Sequence, residues 1–340
     1  MTDTTAPAGA AARATARPEF LGHPRGLIIL FFAEMWERFS YYGMRGLLVL
    51  YLTWHFLFES DEALTLYGAY VALVYLGPLL GGYLADRYLG FRKAVTFGAV
   101  LLVAGHALMS FHGAPAQETL RVDGETYRLE RADYDEDRNR AILIDGERFA
   151  VDRFEQPEKG SAIRFVTIER EGTPVTLEGT LERARSPLHT QILFAALALI
   201  VAGVGFLKPN ISASVGALYE EGDRRRDAGF TIYYMGINLG SLLAGIFCSL
   251  AAAMFGWAYG FGLAAIGMVA GLAVFVWGQG WLEGRAEPPA KAGLKQPVAF
   301  GLTREHTVYL AGLAFAVVAY GLLQIANLMS LAMHAVFAVT

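Results

Sequence analysis

Unbroken apolar stretches of about 20 residues, the length a helix needs to cross a bilayer, recur along this chain and restrict its fold more than any other feature. Six spans are read near Leu27–Trp54, Leu64–Ala85, Ala94–Phe111, Leu188–Leu218, Ala228–Ala253 and Trp257–Leu282. A seventh covers about Thr307–Gln324. An eighth apolar run starts at Ile325 and reaches Thr340 with no polar cap or basic anchor, which reads as a chain cut inside a membrane segment. Composition agrees: apolar residues make up 54% of 340 positions, and the mean hydropathy is +0.37. A soluble chain of this length breaks its apolar runs every few residues. The expectation is an all-α integral membrane protein.

Lys and Arg in the short loops set the orientation. With the amino terminus inside, 13 basic residues fall on inner segments: Arg13, Arg17, Arg25, Arg87, Arg92, Lys93, Arg224, Arg225, Arg226, Arg285, Lys291, Lys295 and Arg304. The short outer loops, Phe58–Ala63 and Met254–Gly256, hold none. A multi-pass protein of the cell (inner) membrane with a cytoplasmic amino terminus follows. Residues 1–22 are rich in Ala and Thr and lack an apolar core, so they read as a disordered cytoplasmic tail and not a signal peptide. The first span then serves as the uncleaved insertion signal.

The predicted order is the tail (1–22), spans one to three (23–112), an insert (113–186), spans four to six (187–282), a cytoplasmic linker rich in Pro and charge (283–305), and further truncated spans (306–340). The insert holds 17 acidic and 12 basic residues and lies outside on this orientation. Its stretches alternate apolar and polar residues, with Asp145-Gly146, Glu171-Gly172-Thr173-Pro174 and Asp123-Gly124 where turns are needed. A small β-rich extracytoplasmic domain of two or more hairpins is expected, with Asp133–Arg140 as a solvated loop. The single cysteine, Cys248, has no disulfide partner and no metal-ligand companions. No metal site or cofactor is expected. No basic patch with interleaved aromatics suggests nucleic acid, and no nucleophile–base set suggests an enzyme.

The chemistry concentrates in the first span, where Glu34, Glu37, Arg38 and Arg45 interrupt an apolar helix. Each charge at mid-membrane depth costs roughly 2.5–3.5 kcal/mol on insertion scales. Four together must face a cavity or one another. At about 100° per residue, Glu34, Glu37, Arg38, Tyr41, Tyr42 and Arg45 share an arc of roughly 140°, and Glu34 with Arg38 is an i,i+4 pair. Proton occupancy of either glutamate can then depend on whether Arg38 is engaged elsewhere, for instance by a substrate carboxylate. Lys208 in the fourth span is a second intramembrane cation, and it needs an acid or an anionic ligand. Pro209 beside it is expected to break or kink that helix. Asn238 in the fifth span offers an amide to a ligand, and Gly236, Gly240 and Ala244 form a face of small residues suited to close helix packing.

Gly81–Lys93 is a short inner turn whose Asp86, Arg87, Gly90 and Arg92 suit a latch between helices, a gating element. His106 and His112 can in principle relay protons, but neither has an acid nearby in sequence, so both read as satisfied or interfacial. Tyr67, Tyr70 and Tyr75 read as a mixture of core and cavity lining.

Three ordered motifs carry a resemblance. Glu34-x-x-Glu37-Arg38-Phe39-x-Tyr41-Tyr42-Gly43 resembles the first-span signature of the proton-dependent oligopeptide transporters of the major facilitator superfamily. Gly81–Lys93 resembles that family's loop signature, and Phe230–Ser241 its fifth-span signature. The resemblance implies the superfamily's amino-terminal six-helix bundle with linker helices, and proton-driven import of di- and tripeptides by alternating access. It implies proton coupling by Glu34, Glu37, Arg38 and Lys208. It implies substrate contacts from Arg38, Tyr41, Tyr42, Arg45, Tyr75, Lys208 and Asn238. The family's carboxy-terminal half is missing, and the insert departs from its pattern. Two other readings stand beside this one: a same-fold carrier of amino acids, nitrate or drugs, and a non-transporting receptor that uses the insert.

Overall fold

Seven long helices carry the chain in the computed structural model, which describes residues 19–131, 140–157, 161–299 and 301–337. A short ladder of β1 (Glu19–Phe20) and β2 (His23–Pro24) leads into α1 (Gly26–Trp54), α2 (Ser60–Leu84) and α3 (Gly90–Met109). Six strands follow: β3 (Gln117–Val122), β4 (Glu125–Arg131), β5 (Arg140–Ile144), β6 (Glu147–Glu155), β7 (Ile163–Arg170) and β8 (Thr173–Ala184). The chain then re-enters the helical bundle as α4 (Pro187–Ala217), α5 (Arg226–Phe255) and α6 (Trp257–Gly278). A second ladder, β9 (Pro297–Ala299) with β10 (Leu302–Thr303), precedes α7 (Arg304–Phe337). The expected tail lies outside the described residues up to position 18, as do residues 133–139 of the expected charged loop.

Among the described residues, five helical segments are long and apolar enough to cross a membrane: Ser60–Met109, Pro187–Ala217, Arg226–Phe255, Trp257–Leu282 and Arg304–Met329. The first of these contains both α2 and α3, joined by a π-helical turn at Ala85–Leu89. Helix α1 has the length, 29 residues, but its four charges set it apart. Two expectations about the helices need correction. The seventh and eighth apolar runs form one helix, α7, because nothing near Gln324-Ile325 interrupts its backbone. Pro209 does not break α4, which runs unbroken from Pro187 to Ala217. The missing proline N–H frees the Gly205 carbonyl one turn earlier, and the helix continues past it. Asn210 Nδ2 donates to the carbonyl of Phe206 at 2.6 Å, and Gly81 on α2 lies flush against the backbone of Gly205.

The insert is also more than the set of hairpins expected of it. Strands β3 to β8 close into an antiparallel barrel in sequence order, with β8 returning to pair with β3. Its turns fall at Asp123-Gly124, Asp145-Gly146 and Glu171-Gly172, where both residues of each pair have positive φ. That conformation matches the right-handed twist of the flanking strands. Leu120, Leu129, Ile142, Val151, Val166 and Ile168 fill the interior. Closure is what the alternation pattern left open: hairpins leave two edges unpaired, and pairing β3 with β8 removes both.

The barrel is fastened to the loop between α1 and α2. Arg185 donates to both oxygens of Glu62, at 3.0 and 2.9 Å, and to the carbonyls of Phe56 and Leu57. Arg183 bridges Glu59 and Glu118. Burial by itself would raise the Glu59 carboxyl, but the Arg183 guanidinium, with Arg164 behind it, holds it below the ordinary value near 4.5. A depressed carboxylate contributes stability above its unfolded pKa and loses it as pH falls through the folded value. Amide protection at β8 and the 55–59 loop, relative to the intrinsic exchange rate at each pH, is therefore expected to hold near neutrality and to be lost as pH falls below the ordinary glutamate value near 4.5. Glu59→Gln should remove that acid dependence. Protection that is the same at neutral and acid pH in the unsubstituted protein would contradict this anchoring.

At the opposite end, the segment between α6 and α7 is ordered against the bundle. Arg285 Nη1 donates to the carbonyls of Ala217 and Leu218, satisfying the end of α4. Small residues bring the helices together: a Cβ on Gly240 would lie 2.2 Å from the Met35 carbonyl oxygen, and one on Gly236 would lie 2.9 Å from that of Phe31. These contacts set α5 tightly against α1 at the level of its charges.

Candidate functional site

Helix α1 is the spine of the site because its charged residues are its buried ones. Glu34, Glu37 and Arg38 are 2%, 1% and 3% exposed. Arg38 Nη2 donates to Glu37 Oε1 at 2.7 Å, and Arg38 Nε reaches Glu37 Oε2. Arg38 Nε also lies 3.2 Å from Glu34 Oε1. Adjacent residues on a helix do not ordinarily face each other, so helix geometry favoured Glu34 as the partner of Arg38. The long guanidinium folds back to make the fork-like pair with Glu37, and Glu34 takes the weaker place. The second oxygen of Glu34 has no hydrogen-bond partner among the described residues.

Aromatic rings surround this triad. The Arg38 guanidinium lies 5.0 Å from the centre of the Tyr41 ring and 6.0 Å from that of Tyr42. Tyr233 on α5, 1% exposed, faces Glu34 and meets Ser212 Oγ of α4 at 3.3 Å. Tyr70 on α2 is fully buried near Tyr41 and Glu37. Both tyrosines join α1 to its neighbours through the charged level. Tyr233 stood inside the fifth-span motif with no role assigned. No local pattern marks a residue whose importance is to reach across to another helix.

The other sequence-predicted residues lie around this centre. Arg45 Nε donates to the Tyr67 hydroxyl of α2 at 2.6 Å. Lys208 is half-buried, and its ammonium sits 5.2 Å from the centre of the Tyr75 ring. Among the described residues Lys208 makes no ion pair. Of the two kinds of partner expected for Lys208, an acid or an anionic ligand, no acid lies within ion-pair distance among the described residues. Tyr75 is 63% exposed. Asn238 is exposed, and its amide donates to the Tyr234 carbonyl one turn earlier.

The inner-turn residues divide into two groups. Arg92 grips Glu287 through two bonds of 2.6 and 2.9 Å and reaches Gln279 at 3.1 Å. Lys93 bonds Glu305 at 2.6 Å. Gly90, at φ +69°, packs so closely on Glu287 and Pro288 that any Cβ there would collide with their backbone. Asp86 and Arg87 are exposed. Only the Arg92 side of the predicted latch is engaged, and it holds the segment before α7.

The arrangement joins a buried triad of two acids and one base to a half-buried lysine and a set of tyrosines. A sequence profile described as the POT family matches residues 92–296, more than half of the chain. The chain belongs to the POT family. This POT family chain is 33% identical over 261 residues to the uncharacterized transporter YclF of Bacillus subtilis (strain 168), covering 75% of the chain and 38% of YclF. It is 32% identical over 269 residues to the di-/tripeptide transporter of Lactococcus lactis subsp. cremoris, covering 76% of the chain and 39% of that protein. Among solved structures it resembles the peptide transporter POT in complex with sulfate, with TM-score 0.58, 32% identity, and coverage of 90% of this chain and 47% of that one. A POT family transporter in complex with 5-aminolevulinic acid is similar at TM-score 0.57 and 29% identity, covering 90% of this chain and 47% of that one. The chain spans less than half the length of each of these relatives. They are transporters and not enzymes, and the chain shares their membrane-spanning, major-facilitator-like fold.

Proposed function

We propose that this chain supplies one half of a proton-coupled symporter that imports di- and tripeptides across the cell membrane by alternating access. Its amino terminus lies inside and its barrel outside, in keeping with the 13 basic residues on one side of the short loops and none on the other. One observation carries the reading: Glu37 and Glu34 share a single guanidinium, Arg38, in a helix buried among apolar neighbours. A site with two acids and one base tolerates one proton at little electrostatic cost. A peptide carboxylate that engages Arg38 or Lys208 changes which glutamate keeps that proton. Arg38 and Lys208 are the cations for the peptide's carboxyl end. Tyr41, Tyr42, Arg45, Tyr75 and Asn238 are the positions for contacts along the peptide. The partner of the peptide's amino group comes from the other half of the transporter.

The test is uptake by the complete protein in proteoliposomes under an imposed pH gradient, inside alkaline. Labelled dialanine should accumulate, and the accumulation should collapse with a protonophore. Unlabelled di- and tripeptides should compete, and free amino acids should not. Competition by an amino-carboxylate of single-residue size, of the kind bound by the similar transporter that holds 5-aminolevulinic acid, would move the cargo to another small solute. Uptake that ignores the pH gradient would remove the coupling.

A further inference from the structure

Among the described residues Lys208 has no acid partner, so something other than an ion pair must aim it. The fold supplies an anchor two positions further on. Asn210 is 1% exposed. Its Nδ2 donates to the Phe206 carbonyl of its own helix at 2.6 Å and to the Gly81 carbonyl of α2 at 3.4 Å. The ring of Pro209 sits on the adjoining Gly82, where an added Cβ would lie 3.6 Å from the proline Cβ. A Cβ on Gly81 would lie 2.1 Å from the Gly205 carbonyl oxygen, and one on Gly77 would lie 3.3 Å from the Gly205 Cα. Helices α2 and α4 therefore meet backbone to backbone. They run in the same direction, since Gly77, Gly81 and Gly82 face Gly205 and Pro209 in that order.

This contact lies where α4 is weakest. Pro209 has no N–H, which leaves the Gly205 carbonyl without its helical donor. Downstream, three side chains bond carbonyls one turn earlier: Asn210 to Phe206, Ser212 to Lys208 at 3.4 Å, and Ser214 to Asn210 at 2.7 Å. Of the three, the asparagine amide, with two hydrogens on one nitrogen, is the one that also reaches α2. Lys208 precedes the proline, and a long helical side chain leans toward the amino end of its helix. Tyr75 lies six residues before Gly81 on α2, about 9 Å along the axis in that same direction. The ammonium comes to rest 5.2 Å from the centre of the Tyr75 ring. One helix, α2, thus holds Asn210 at Gly81 and Lys208 at Tyr75.

We propose that Asn210 is a positioning residue of the peptide site: by bridging the Phe206 and Gly81 carbonyls beside the proline gap, it fixes the level at which α4 presents Lys208 to the peptide's carboxylate. A lysine held by one cation–π contact is weakly tethered, so its aim depends on the backbone that carries it. Fixing that backbone in advance spares part of the ordering cost when the peptide binds. Asn210 is buried against α2 and acts through Lys208. This inference rests on the reading of Lys208 as the cation for the peptide's carboxyl end, and it adds a residue to which the motifs assign no role.

Asn210→Ser in the complete protein is the discriminating variant. A serine there can bond the Phe206 carbonyl, as Ser212 and Ser214 bond the carbonyls one turn before them, but it is too short to reach Gly81. The Tm should stay within a few degrees of the unsubstituted protein. In proteoliposomes the KM for dialanine should rise about two- to tenfold, the worth of one hydrogen bond, with kcat within about twofold. The KM for the same dipeptide amidated at its carboxyl end should move by less than about twofold. Lys208→Ala should produce the same split, and adding Asn210→Ser to it should change nothing further. Ser214→Ala loses a bond of the same kind within α4; as the control it should show no split. Asn210→Thr serves as the second variant should serine misfold. Independently, brief treatment of the purified protein with an amine-acylating reagent, read by mass spectrometry, should modify Lys208 faster in Asn210→Ser, by about the same factor. An equal rise in KM for both peptides, a split in Ser214→Ala, or an unchanged rate of Lys208 modification would overturn the proposal. If Lys208→Ala leaves both peptides unaffected, the functional reading of Lys208 fails, while the modification rate still reports whether Asn210 holds that lysine.

Discussion

Glu37→Gln in the complete transporter is expected to abolish proton-driven peptide accumulation while leaving exchange of peptide across the membrane measurable. Glu37 accepts two hydrogen bonds from Arg38 and is 1% exposed. Glutamine has nearly the same shape, so packing around α1 survives. Its amide takes no proton, and its NH2 group points a donor where the guanidinium also points donors. Arg38 then turns to Glu34, already 3.2 Å away, and the choice between two acids disappears. Losing a positioned proton-transfer group typically costs a factor of about 10² to 10⁴, and accumulation should fall by at least the lower figure. Counterflow needs the helices to rock and the cations to hold the peptide. Neither requires a proton on Glu37. Measuring both in one proteoliposome preparation decides the matter: a parallel fall in accumulation and counterflow would mean that Glu37 holds the bundle together and does not couple it.

The second large effect comes from a single added methyl group. Gly240→Ala places a carbon 2.2 Å from the Met35 carbonyl oxygen and 3.1 Å from Arg38 Cβ. The first of these is backbone and cannot rotate away, so α5 must retreat from α1 at the level of the charged triad. Overpacking of this kind costs about 1–3 kcal/mol, and it should lower the Tm of the purified protein by several degrees. Gly245→Ala on the same helix is the control, because nothing lies within 4 Å of its new Cβ. There alanine's better helix propensity, worth up to about 1 kcal/mol, should leave the Tm equal or higher. If Gly240→Ala and Gly245→Ala behave alike, the α1–α5 contact is not what sets the geometry of the site.

Local pattern made much of this protein legible. The places of the long helices follow from apolar runs, and the acid and base residues of α1 announce themselves by their cost in lipid. The hairpin turns sit at Asp-Gly and Glu-Gly pairs that tolerate positive φ. The face of small residues on α5 marked where two helices approach. Each of these signals involves residues within one or two turns of each other. Others were invisible for the same reason. Arg185 and Glu62 are 123 positions apart, and no spacing rule links them. The closed barrel required β3 to find β8 across the whole insert.

The amino-acid sequence alone therefore determined that this is a membrane bundle with an ionisable centre on its first helix, because helix period and burial cost act between near neighbours. The tertiary structure decided the partners within that centre: Glu37 ahead of Glu34 for Arg38, and Tyr75 beneath Lys208. Those choices depend on how closely whole helices approach, and that distance is set by bare glycine backbones such as Gly240 against Met35, contacts between segments far apart in the chain.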